Sequence, residues 1–204
     1  MLIAGAGGHA RELLDILFAE GKTENLYFYD DITGITSLHG FPILNSEEAA
    51  KEYLINNPDF ILGTGNPQVR KMFYSKFIQW GGKHKSIKGQ GIACSKFTNC
   101  KEADIFNLCF IGANTQIGKG CLINTGAQIH HDVKVGAFSE INPGAVLLGA
   151  SEVGDKCSIG ANATILPKVK IGNQVIVGAG SVVTKDVSDG VTVVGVPGRV
   201  ILVK

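Results

Sequence analysis

The sequence predicts an α/β domain followed by a larger all-β domain of stacked parallel coils. Strand and helix patterns alternate over residues 1–82, and from Ile111 onward an aliphatic residue recurs at every sixth position. Glycine is frequent, with 27 of 204 residues, and aromatic residues make up only 7%. This composition favours tight turns and thin layers. We therefore expect two domains, residues 1–82 and 83–204, with residues 83–104 as a junction that includes the first irregular coils.

The first domain shows three clear strand patterns with helical segments between them. The strands are predicted at MLIAG (1–5), LYFY (26–29) and DFILGTG (59–65). The helical segments are RELLDILFAE, then NSEEAAKEYLINN with Asn45 or Ser46 as its cap, and a third that starts at Asn66-Pro67. This alternation predicts a small parallel sheet.

A glycine-rich turn follows the first predicted strand. Gly5-x-Gly7-x-x-Ala10 fits the dinucleotide-binding fingerprint, and Asp30 lies about 20 residues beyond it. Glycine lets a phosphate approach the backbone closely, and a helix N-terminus favours an anion. Three interpretations stay open: one nucleotide or nucleotide sugar, a purely structural turn, and NAD. Three strands amount to half of a dinucleotide fold, which favours the first interpretation over NAD.

The second domain is a repeat with a period of six. A six-residue unit holds one short strand and a corner, and three such units close a triangular coil. The aliphatic residue should point into the interior, with a small or β-branched residue four positions later. Glycine often follows the aliphatic residue directly, and we expect these glycines to serve corners with positive φ. This is the pattern of a left-handed parallel β-helix of hexapeptide repeats, whose handedness is known from that class. The aliphatic positions are Ile111, Ile117, Ile123, Ile129, Val135, Ile141, Leu147, Val153, Ile159, Ile165, Ile171, Val177 and Val183.

Composition argues against several classes of protein. The formal net charge of +1 gives no support for nucleic-acid binding. We find no apolar run of the roughly 18 residues that a membrane span needs, and Met1 leads directly into a strand pattern rather than a signal peptide. Five cysteines without a CxxC pair are typical of buried thiols in a reducing compartment, so we expect a cytoplasmic protein.

Six motifs together resemble one known family over essentially the whole chain. They are GAGGHARELLDIL, FYDD, LGTGNPQVR, INTGAQIHHDVKVG, IGANATILPKVKIG and VGVPGR. The chain resembles the sialic acid O-acetyltransferase and nucleotide-4-amino-sugar N-acetyltransferase family (NeuD/PglD type) of bacterial surface-glycan pathways. The resemblance implies a half-Rossmann first domain that holds the nucleotide of a sugar donor. It also implies acetyl-CoA as co-substrate and a homotrimer with active sites between neighbouring β-helices.

The resemblance assigns catalysis to His131 and Asp132, which align with the family's base and with the carboxylate that follows it. An imidazole, whose unperturbed pKa is about 6.5, can accept the proton of an attacking amine or hydroxyl. A carboxylate on the other ring nitrogen would fix its tautomer. Three hexads make one coil, so Gly149 should stack above His131, and its N–H is our candidate oxyanion donor. His130 is interpreted as structure or pocket wall.

Further binding residues follow from the same resemblance. The acetyl-CoA site is predicted to include Gly149, Ala161, Pro167, Gly178, Ala179 and Arg199, with the glycines and alanines of VGAGS (177–181) as a flat wall. For Asp30, Asp31 and Asn66, ordinary turn and cap chemistry is the alternative to substrate binding. The predicted nucleotide-sugar site comprises Gly7, Gly8, His9, Asp30, Asp31, Asn66 and Arg70.

The sequence departs from the family pattern in three places. Glu140 stands where the family often has a second histidine, and we assign it to the substrate pocket. The closing motif reads Val196-Pro197-Gly198-Arg199 instead of VPAK or VPAR, and the junction GQGIACSKFTNC lacks regular coils. The first departure concerns the acceptor or acetyl pocket, and the others concern the coenzyme tail and the domain junction.

The leading functional hypothesis is acetyl-CoA-dependent N-acetylation of a nucleotide-linked 4-amino-4,6-dideoxy sugar. The alternatives are O-acetylation of sialic acid or its nucleotide form, and a non-catalytic β-helical binding or assembly protein, of which Glu140 could be a sign. A zinc enzyme of the γ-class carbonic anhydrase type is disfavoured, because His130 and His131 are adjacent and no other histidine falls in the regular coils. We therefore expect no metal.

Overall fold

A computed structural model describes residues 1–201 of the chain. These residues form two compact units. The first comprises Met1–Gly65 and Val69–Lys85, and the second comprises Asn66–Gln68 together with the chain from Ser86 onward.

The first unit is an α/β domain, as predicted, but its sheet has six strands rather than three. The strand order is β3-β4-β2-β1-β5-β6, and every pair is parallel except β3 with β4. The strands that sequence patterns missed, β3, β4 and β6, are two to four residues long and lie towards the sheet edges. The elements are β1 (Leu2–Ala4), α1 (Gly8–Ala19), β2 (Tyr27–Tyr29), β3 (Ser37–Leu38), β4 (Phe41–Leu44), α2 (Glu47–Asn56), β5 (Asp59–Leu62), α3 (Pro67–Gln79) and β6 (Lys83–His84).

The helix boundaries in this unit follow local chemistry. Ser46, one of the two predicted caps, accepts the N–H of Ala49 at 3.2 Å and starts α2. Pro67 opens α3, where its missing N–H leaves no bond unmade. The core between the sheet and the helices is rich in aromatic residues, including fully buried Tyr29, Phe60 and Phe77.

The second unit is a parallel β-helix whose strands are almost all two residues long. Its strands form three sheets, which we call the first, second and third faces. The first face holds β10 (Gln116–Ile117), β13 (Lys134–Val135), β16 (Glu152–Val153) and β19 (Lys170–Ile171). The second holds β8 (Asp104–Ile105), β11 (Leu122–Ile123), β14 (Glu140–Ile141), β17 (Ser158–Ile159), β20 (Ile176–Val177), β22 (Thr192–Val194) and β23 (Arg199–Ile201). The third holds β7 (Ala93–Cys94), β9 (Phe110–Ile111), β12 (Gln128–Ile129), β15 (Val146–Leu147), β18 (Thr164–Ile165) and β21 (Val182–Val183).

The predicted interior positions of the repeat are buried. All thirteen aliphatic positions are 6% exposed or less, and the small residues four positions later, including Cys109, Cys121 and Cys157, lie in the same core. Each fully buried aliphatic side chain stabilises the fold by roughly 1.5–3 kcal/mol. Successive coils stack with an offset of 18 residues, as in the pairing of Gln128 with Val146 and of Ile129 with Leu147.

The expectation about corner glycines was wrong. Positive φ recurs three residues after the aliphatic position, and most of the residues there are not glycine, as at Asn114, Asp132 and Ala150. The glycines that directly follow an aliphatic residue have a different task. A Cβ on Gly112 or Gly160 would come within 2.7 or 2.5 Å of backbone atoms of the next coil. Glycine is needed there because neighbouring coils approach too closely for a side chain.

Candidate active site

Three corners join the faces of the β-helix, and each corner repeats every 18 residues. The histidine corner, between the third and first faces, carries residues 113, 131, 149 and 167. The capped corner, between the first and second faces, carries residues 137, 155 and 173. The alanine corner, between the second and third faces, carries residues 143, 161 and 179. Each of these residues is the third of its hexad and lies outside the buried interior.

His131 and Asp132 form a close pair on the histidine corner. The ring Nδ1 of His131 lies 2.8 Å from Oδ2 of Asp132. Asp132 has a φ of 62°, and this left-handed conformation places its short side chain beside the preceding residue. Asn114, one coil below, donates its side-chain N–H to Oδ1 of Asp132 at 3.1 Å. The carboxylate is therefore held from two sides, and it favours the imidazole tautomer with its proton on Nδ1.

Gly149 faces the other side of the imidazole ring. A Cβ built on Gly149 would lie 2.5 Å from both Nε2 and Cε1 of His131. The coil is locked in register here, since the N–H of Ala150 donates to the carbonyl of His131 at 2.9 Å. Glycine thus gives the ring its space, and it leaves Nε2 accessible as the proton acceptor.

The backbone N–H groups of the histidine corner are available to a ligand. Within residues 1–201, the N–H groups of Ala113, His131 and Gly149 donate to no protein acceptor. On the capped corner, by contrast, the N–H of Ala137 donates to Asp155 Oδ1 at 2.7 Å, and the N–H of Asp155 donates to Asn173 Oδ1 at 2.9 Å. The free N–H of Gly149 beside His131 has the character of an oxyanion donor.

Charge and exposure suit a base that works at neutral pH. The pKa of Asp132 is lowered, first by its hydrogen bond with His131 and then by that with Asn114. Asp132 therefore stays ionised at neutral pH and can stabilise a protonated imidazole. In the single chain, both side chains are open to solvent, with relative exposures of 67% for His131 and 50% for Asp132.

His130 has a different environment from its neighbour. Its ring packs against that of Phe110 with a centroid distance of 5.4 Å. Its carbonyl accepts the hydroxyl of Thr115 at 3.0 Å. These contacts favour the structural interpretation of His130.

The residues predicted to bind acetyl-CoA divide between two corners. Gly149 and Pro167 share the histidine corner with His131, since the N–H of Lys168 donates to the Gly149 carbonyl at 3.1 Å. Ala161 and Ala179 lie on the alanine corner, where the N–H of Gly180 donates to the Ala161 carbonyl at 2.8 Å. One chain therefore does not bring the flat wall at 177–181 next to His131.

Two further predicted residues also lie away from the histidine corner. Arg199 begins the hairpin strand β23 on the second face and is exposed. Glu140 lies on the same face, where Ser158 Oγ donates to its carboxylate at 3.4 Å. The structure does not join Glu140 to His131 within one chain.

A cavity of about 480 Å³ in the first unit brings most of the predicted nucleotide residues together. The turn Gly5–Gly8 and His9 form one side, and Asp30, Asp31 and Ile32 at the end of β2 form another. The apolar side chains of Val69, Met72 and Phe73 from α3 close it. The N-terminus of α1, at Gly8, opens beside this cavity, so it combines an anion-favouring turn, two carboxylates and an apolar wall.

Three predicted nucleotide residues have structural contacts that account for them. Asp30 Oδ1 accepts the N–H groups of Ile32 and Thr33 at 3.0 and 2.8 Å, which is turn chemistry. Asn66 Oδ1 accepts the N–H of Gln68 at 3.0 Å near the start of α3. Neither contact prevents the remaining polar atoms from meeting a ligand.

Arg70 is where the structure argues for a revised role. It is fully buried, and its guanidinium donates to the carbonyls of Thr64 at 2.7 Å and Leu62 at 3.3 Å. A position in the sequence beside a candidate site suggested a ligand contact. Its side chain instead turns inward to satisfy carbonyls at the end of β5, so it supports the cavity wall rather than a substrate.

Two classes of site were searched for without result in the described part of the chain. No group of three or more His, Cys, Asp or Glu side chains among residues 1–201 is arranged to hold a metal ion. Over the same residues, none of the helices has the length and apolar character required to span a bilayer.

Comparison with known proteins matches both units to described families. Residues 1–77 match the PglD N-terminal domain, and residues 114–149 and 150–185 match the bacterial transferase hexapeptide model of six repeats. The β-helix with its histidine corner thus defines a hexapeptide-repeat acyltransferase.

Solved structures show similarity over the whole chain. PerB from Caulobacter crescentus, in complex with CoA and GDP-perosamine, is 28% identical with a TM-score of 0.90, covering 98% of this chain and 96% of that one. The acetyltransferase domain of PglB from Neisseria gonorrhoeae FA1090, in complex with acetyl coenzyme A, is 28% identical with a TM-score of 0.87 and 98% coverage of both chains. WeeI from Acinetobacter baumannii AYE is 25% identical with a TM-score of 0.69 and 98% coverage of both.

Given both family models and these full-length similarities, the chain belongs to the NeuD/PglD-type family of hexapeptide-repeat acyltransferases, and it is an acetyltransferase that uses acetyl-CoA.

Sequence reasoning missed Asn114 and the difference between the corners. Asn114 precedes Asp132 by 18 residues, which is one coil, so the coil length was the signal that could have found it. The same offset pairs Ala137 with Asp155 and Asp155 with Asn173.

Proposed function

We propose that the protein transfers the acetyl group of acetyl-CoA to the amine of a nucleotide-linked 4-amino-4,6-dideoxy sugar, with His131 as general base. The observation that carries the proposal is the histidine corner. There, Asp132 holds Nδ1 of His131 at 2.8 Å, and Nε2 is turned towards Gly149, whose N–H is free in the described chain. Similarity to PerB, solved with CoA and GDP-perosamine, supports an amino-sugar nucleotide as acceptor.

The chemistry needs one proton acceptor and one hydrogen-bond donor. The acceptor amine attacks the thioester carbonyl carbon while Nε2 of His131 takes its proton, and the amide forms as the C–S bond breaks. The Gly149 N–H would stabilise the negative charge that develops on the carbonyl oxygen. Asp132 would stabilise the imidazolium, which can then return its proton to the departing thiolate.

We further propose that the active site is completed in a homotrimer. The support is the division of the predicted residues: His131 and Gly149 lie on one corner, while Ala161, Ala179 and Glu140 lie on other parts of the prism. Two corners can form one cleft only if they come from neighbouring chains. Light scattering should give three times the chain mass of 21.5 kDa, and a monomer at every concentration would contradict shared sites.

The first unit is proposed to hold the nucleotide of the sugar donor rather than NAD. The support is the cavity that combines the Gly5–Gly8 turn with Asp30 and Asp31. Matches of residues 1–77 to the PglD N-terminal domain point in the same direction. Calorimetric titration with NAD and with UDP-, dTDP- and GDP-linked sugars tests this, and binding of NAD alone would overturn it.

One assay tests the whole proposal. Thiol release from acetyl-CoA should be stimulated by an amino-sugar nucleotide from a panel that also contains sialic acids. Product mass should increase by one acetyl group on the amine. Stimulation by sialic acid alone would replace N-acetylation by O-acetylation. An absence of stimulation across the panel, with acetyl-CoA binding intact, would favour a non-catalytic binding protein.

A further inference from the structure

The nucleotide cavity of the first unit has a second layer of charged and aromatic residues behind Asp31. Lys76 on α3 does not line the cavity, yet its Nζ lies 3.3 Å from Asp31 Oδ2 and 3.0 Å from the hydroxyl of Tyr29. The Tyr29 hydroxyl donates to the same Oδ2 at 2.6 Å. Asp31 is therefore held at one oxygen by two partners from two different elements.

Lys76 is itself fixed from several directions. Glu47, at the start of α2, binds its Nζ at 2.8 Å, and the ammonium lies 5.2 Å and 5.0 Å from the ring centroids of Tyr29 and Trp80. Burial alone would lower the pKa of Lys76, but its bonds to Glu47, Tyr29 and Asp31 raise it. The pKa of Asp31 is lowered, mainly by the Tyr29 hydroxyl. Both groups thus keep their charges at neutral pH.

The arrangement leaves Asp31 with one oxygen to offer. Oδ2 is occupied by Tyr29 and Lys76, whereas Oδ1 receives no bond from residues 1–201. An ionised carboxylate oxygen only accepts hydrogen bonds, so the ligand group that meets it must be an O–H or N–H donor. Asp31 lines the cavity beside the glycine turn, which suits phosphate.

The position of Asp31 indicates which donor that is. Asp31 follows β2, and β2 pairs directly with β1, whose end leads into the glycine turn. Paired strands lie about 4.8 Å apart, so the carboxylate stands one strand away from the phosphate-binding turn. In a nucleoside diphosphate, the pentose is bonded directly to the phosphate and the base lies one ring further on. Ile32, 88% exposed beside Asp31, offers an apolar surface to that base.

Building on the proposed nucleotide-sugar site, we infer that Asp31 accepts a hydrogen bond from the pentose hydroxyls of a nucleoside diphosphate, and that Lys76, acting through Tyr29 and Glu47, is the residue that positions it. Lys76 does not touch the ligand in this arrangement. Its contribution is to present one carboxylate oxygen in a fixed direction.

The experiment compares nucleotides that differ only in the pentose. Binding of GDP, UDP and their 2′,3′-dideoxy forms is measured by calorimetry. The full chain should bind the hydroxylated forms roughly ten- to a hundredfold more tightly, the range for a hydrogen bond to a charged group. Asp31→Asn and Lys76→Met should both bring this ratio close to one. Tyr29→Phe, which keeps the ring and removes only the hydroxyl, should lower the ratio in part.

Lys51→Met is the matched control. Lys51 contacts the same Glu47 at 3.5 Å and lies over the same Trp80 ring, but no contact joins it to Asp31. It should leave the ratio unchanged. A purely structural effect of Lys76→Met would weaken all four nucleotides alike and preserve the ratio, which would overturn the positioning role. Should Lys76→Met fail to fold, Tyr29→Phe decides the same point.

The remaining outcomes separate this inference from the proposal beneath it. Equal binding of hydroxylated and dideoxy nucleotides by the unaltered chain would overturn recognition of the pentose while leaving nucleotide binding intact. If neither GDP nor UDP binds, the assignment of the cavity to a nucleotide fails, and the role of Asp31 fails with it.

Discussion

The histidine corner and the capped corner of the β-helix share one backbone design and differ in what happens to their N–H groups. On the capped corner, Asp155 and Asn173 each reach down one coil and accept the N–H below, and Asp189 accepts the N–H of Asn173 at 2.9 Å. On the histidine corner, the equivalent positions hold His131, Gly149 and Pro167, and none of these side chains caps the coil below.

The difference shows how a repeat protein acquires a site without changing its fold. A short carboxylate or amide at the third position of a hexad consumes a backbone donor in stabilising the stack. Glycine or histidine at that position leaves the donor for a ligand. The same backbone thus serves stability on one corner and chemistry on another, according to a single side chain per coil.

The largest expected effect is that of His131→Ala. Loss of a general base lowers kcat by roughly 10²–10⁴-fold, whereas the melting temperature should hardly change, because the side chain is exposed. Thiol-release kinetics and thermal unfolding measure both quantities. His130→Ala, which removes a ring packed on Phe110, is the control and should stay within a few-fold of the unaltered enzyme. If only His130→Ala abolished turnover, the two roles would have to be exchanged.

Gly149→Ala tests the open character of the histidine corner. The new Cβ would approach Nε2 of His131 within 2.5 Å, so the exposed ring must move. A displacement of that kind lowers kcat by about 10²-fold, and the coil itself should remain folded. The matched control is Gly126→Ala, at a corner residue where a Cβ would meet nothing within 4 Å.

Gly126 has a φ of 70°, so its replacement by alanine strains the backbone and should lower stability without lowering kcat. Kinetics and thermal unfolding of the two variants would therefore change in opposite respects. Near-normal kcat for Gly149→Ala would contradict the placement of the reacting atoms beside this glycine.

Asp132→Asn should reduce kcat less than His131→Ala, since the base remains and only its orientation and charge partner are weakened. The folded-state pKa of Asp132 is lowered, so the stabilising contact is complete above the unfolded pKa and is lost as pH falls through the lowered folded value. A loss of activity near neutral pH in the unaltered enzyme would therefore belong to another group. Rate profiles of the two enzymes check this, and a loss as large as that of His131→Ala would make Asp132 an equal partner.

The smallest effect on catalysis is expected on the capped corner. Asp155→Ala removes the acceptor of the Ala137 N–H and should lower the free energy of unfolding by about 1 kcal/mol with kcat unchanged. Asp155→Asn retains an acceptor oxygen and should recover most of that stability. Denaturant unfolding measures the difference. A large fall in kcat for Asp155→Ala would show that the two corners are not functionally distinct.

The interior of the β-helix could be predicted residue by residue, because burial repeats with the sequence period. The aliphatic positions from Ile111 to Val183 are all buried. The reason for the glycines was missed, because the close approach at Gly112 or Gly160 involves a coil 18 residues away. In the first unit, β3 and β6 are only two residues long, which is too short for an alternating pattern.

The candidate site was predicted where neighbours in sequence are neighbours in space. His131 and Asp132 are adjacent, and Gly149 follows at one coil length. Arg70 was misjudged, since nothing in a local pattern tells a buried arginine from an exposed one. The contact of Lys76 with Asp31 spans 45 residues and depends on how α3 packs, so the sequence carries no local signal for it.

The 18-residue offset between coils has a consequence for how such a chain can change in length. Because Gln128 pairs with Val146, an insertion of 18 residues adds one coil of about 4.8 Å and leaves every later residue on its own corner. An insertion of six residues between His131 and Gly149 would instead bring Pro143, from the alanine corner, above the imidazole. Length in this architecture is therefore variable only in whole turns, and a chain that respects this step can grow taller without redesigning its chemistry.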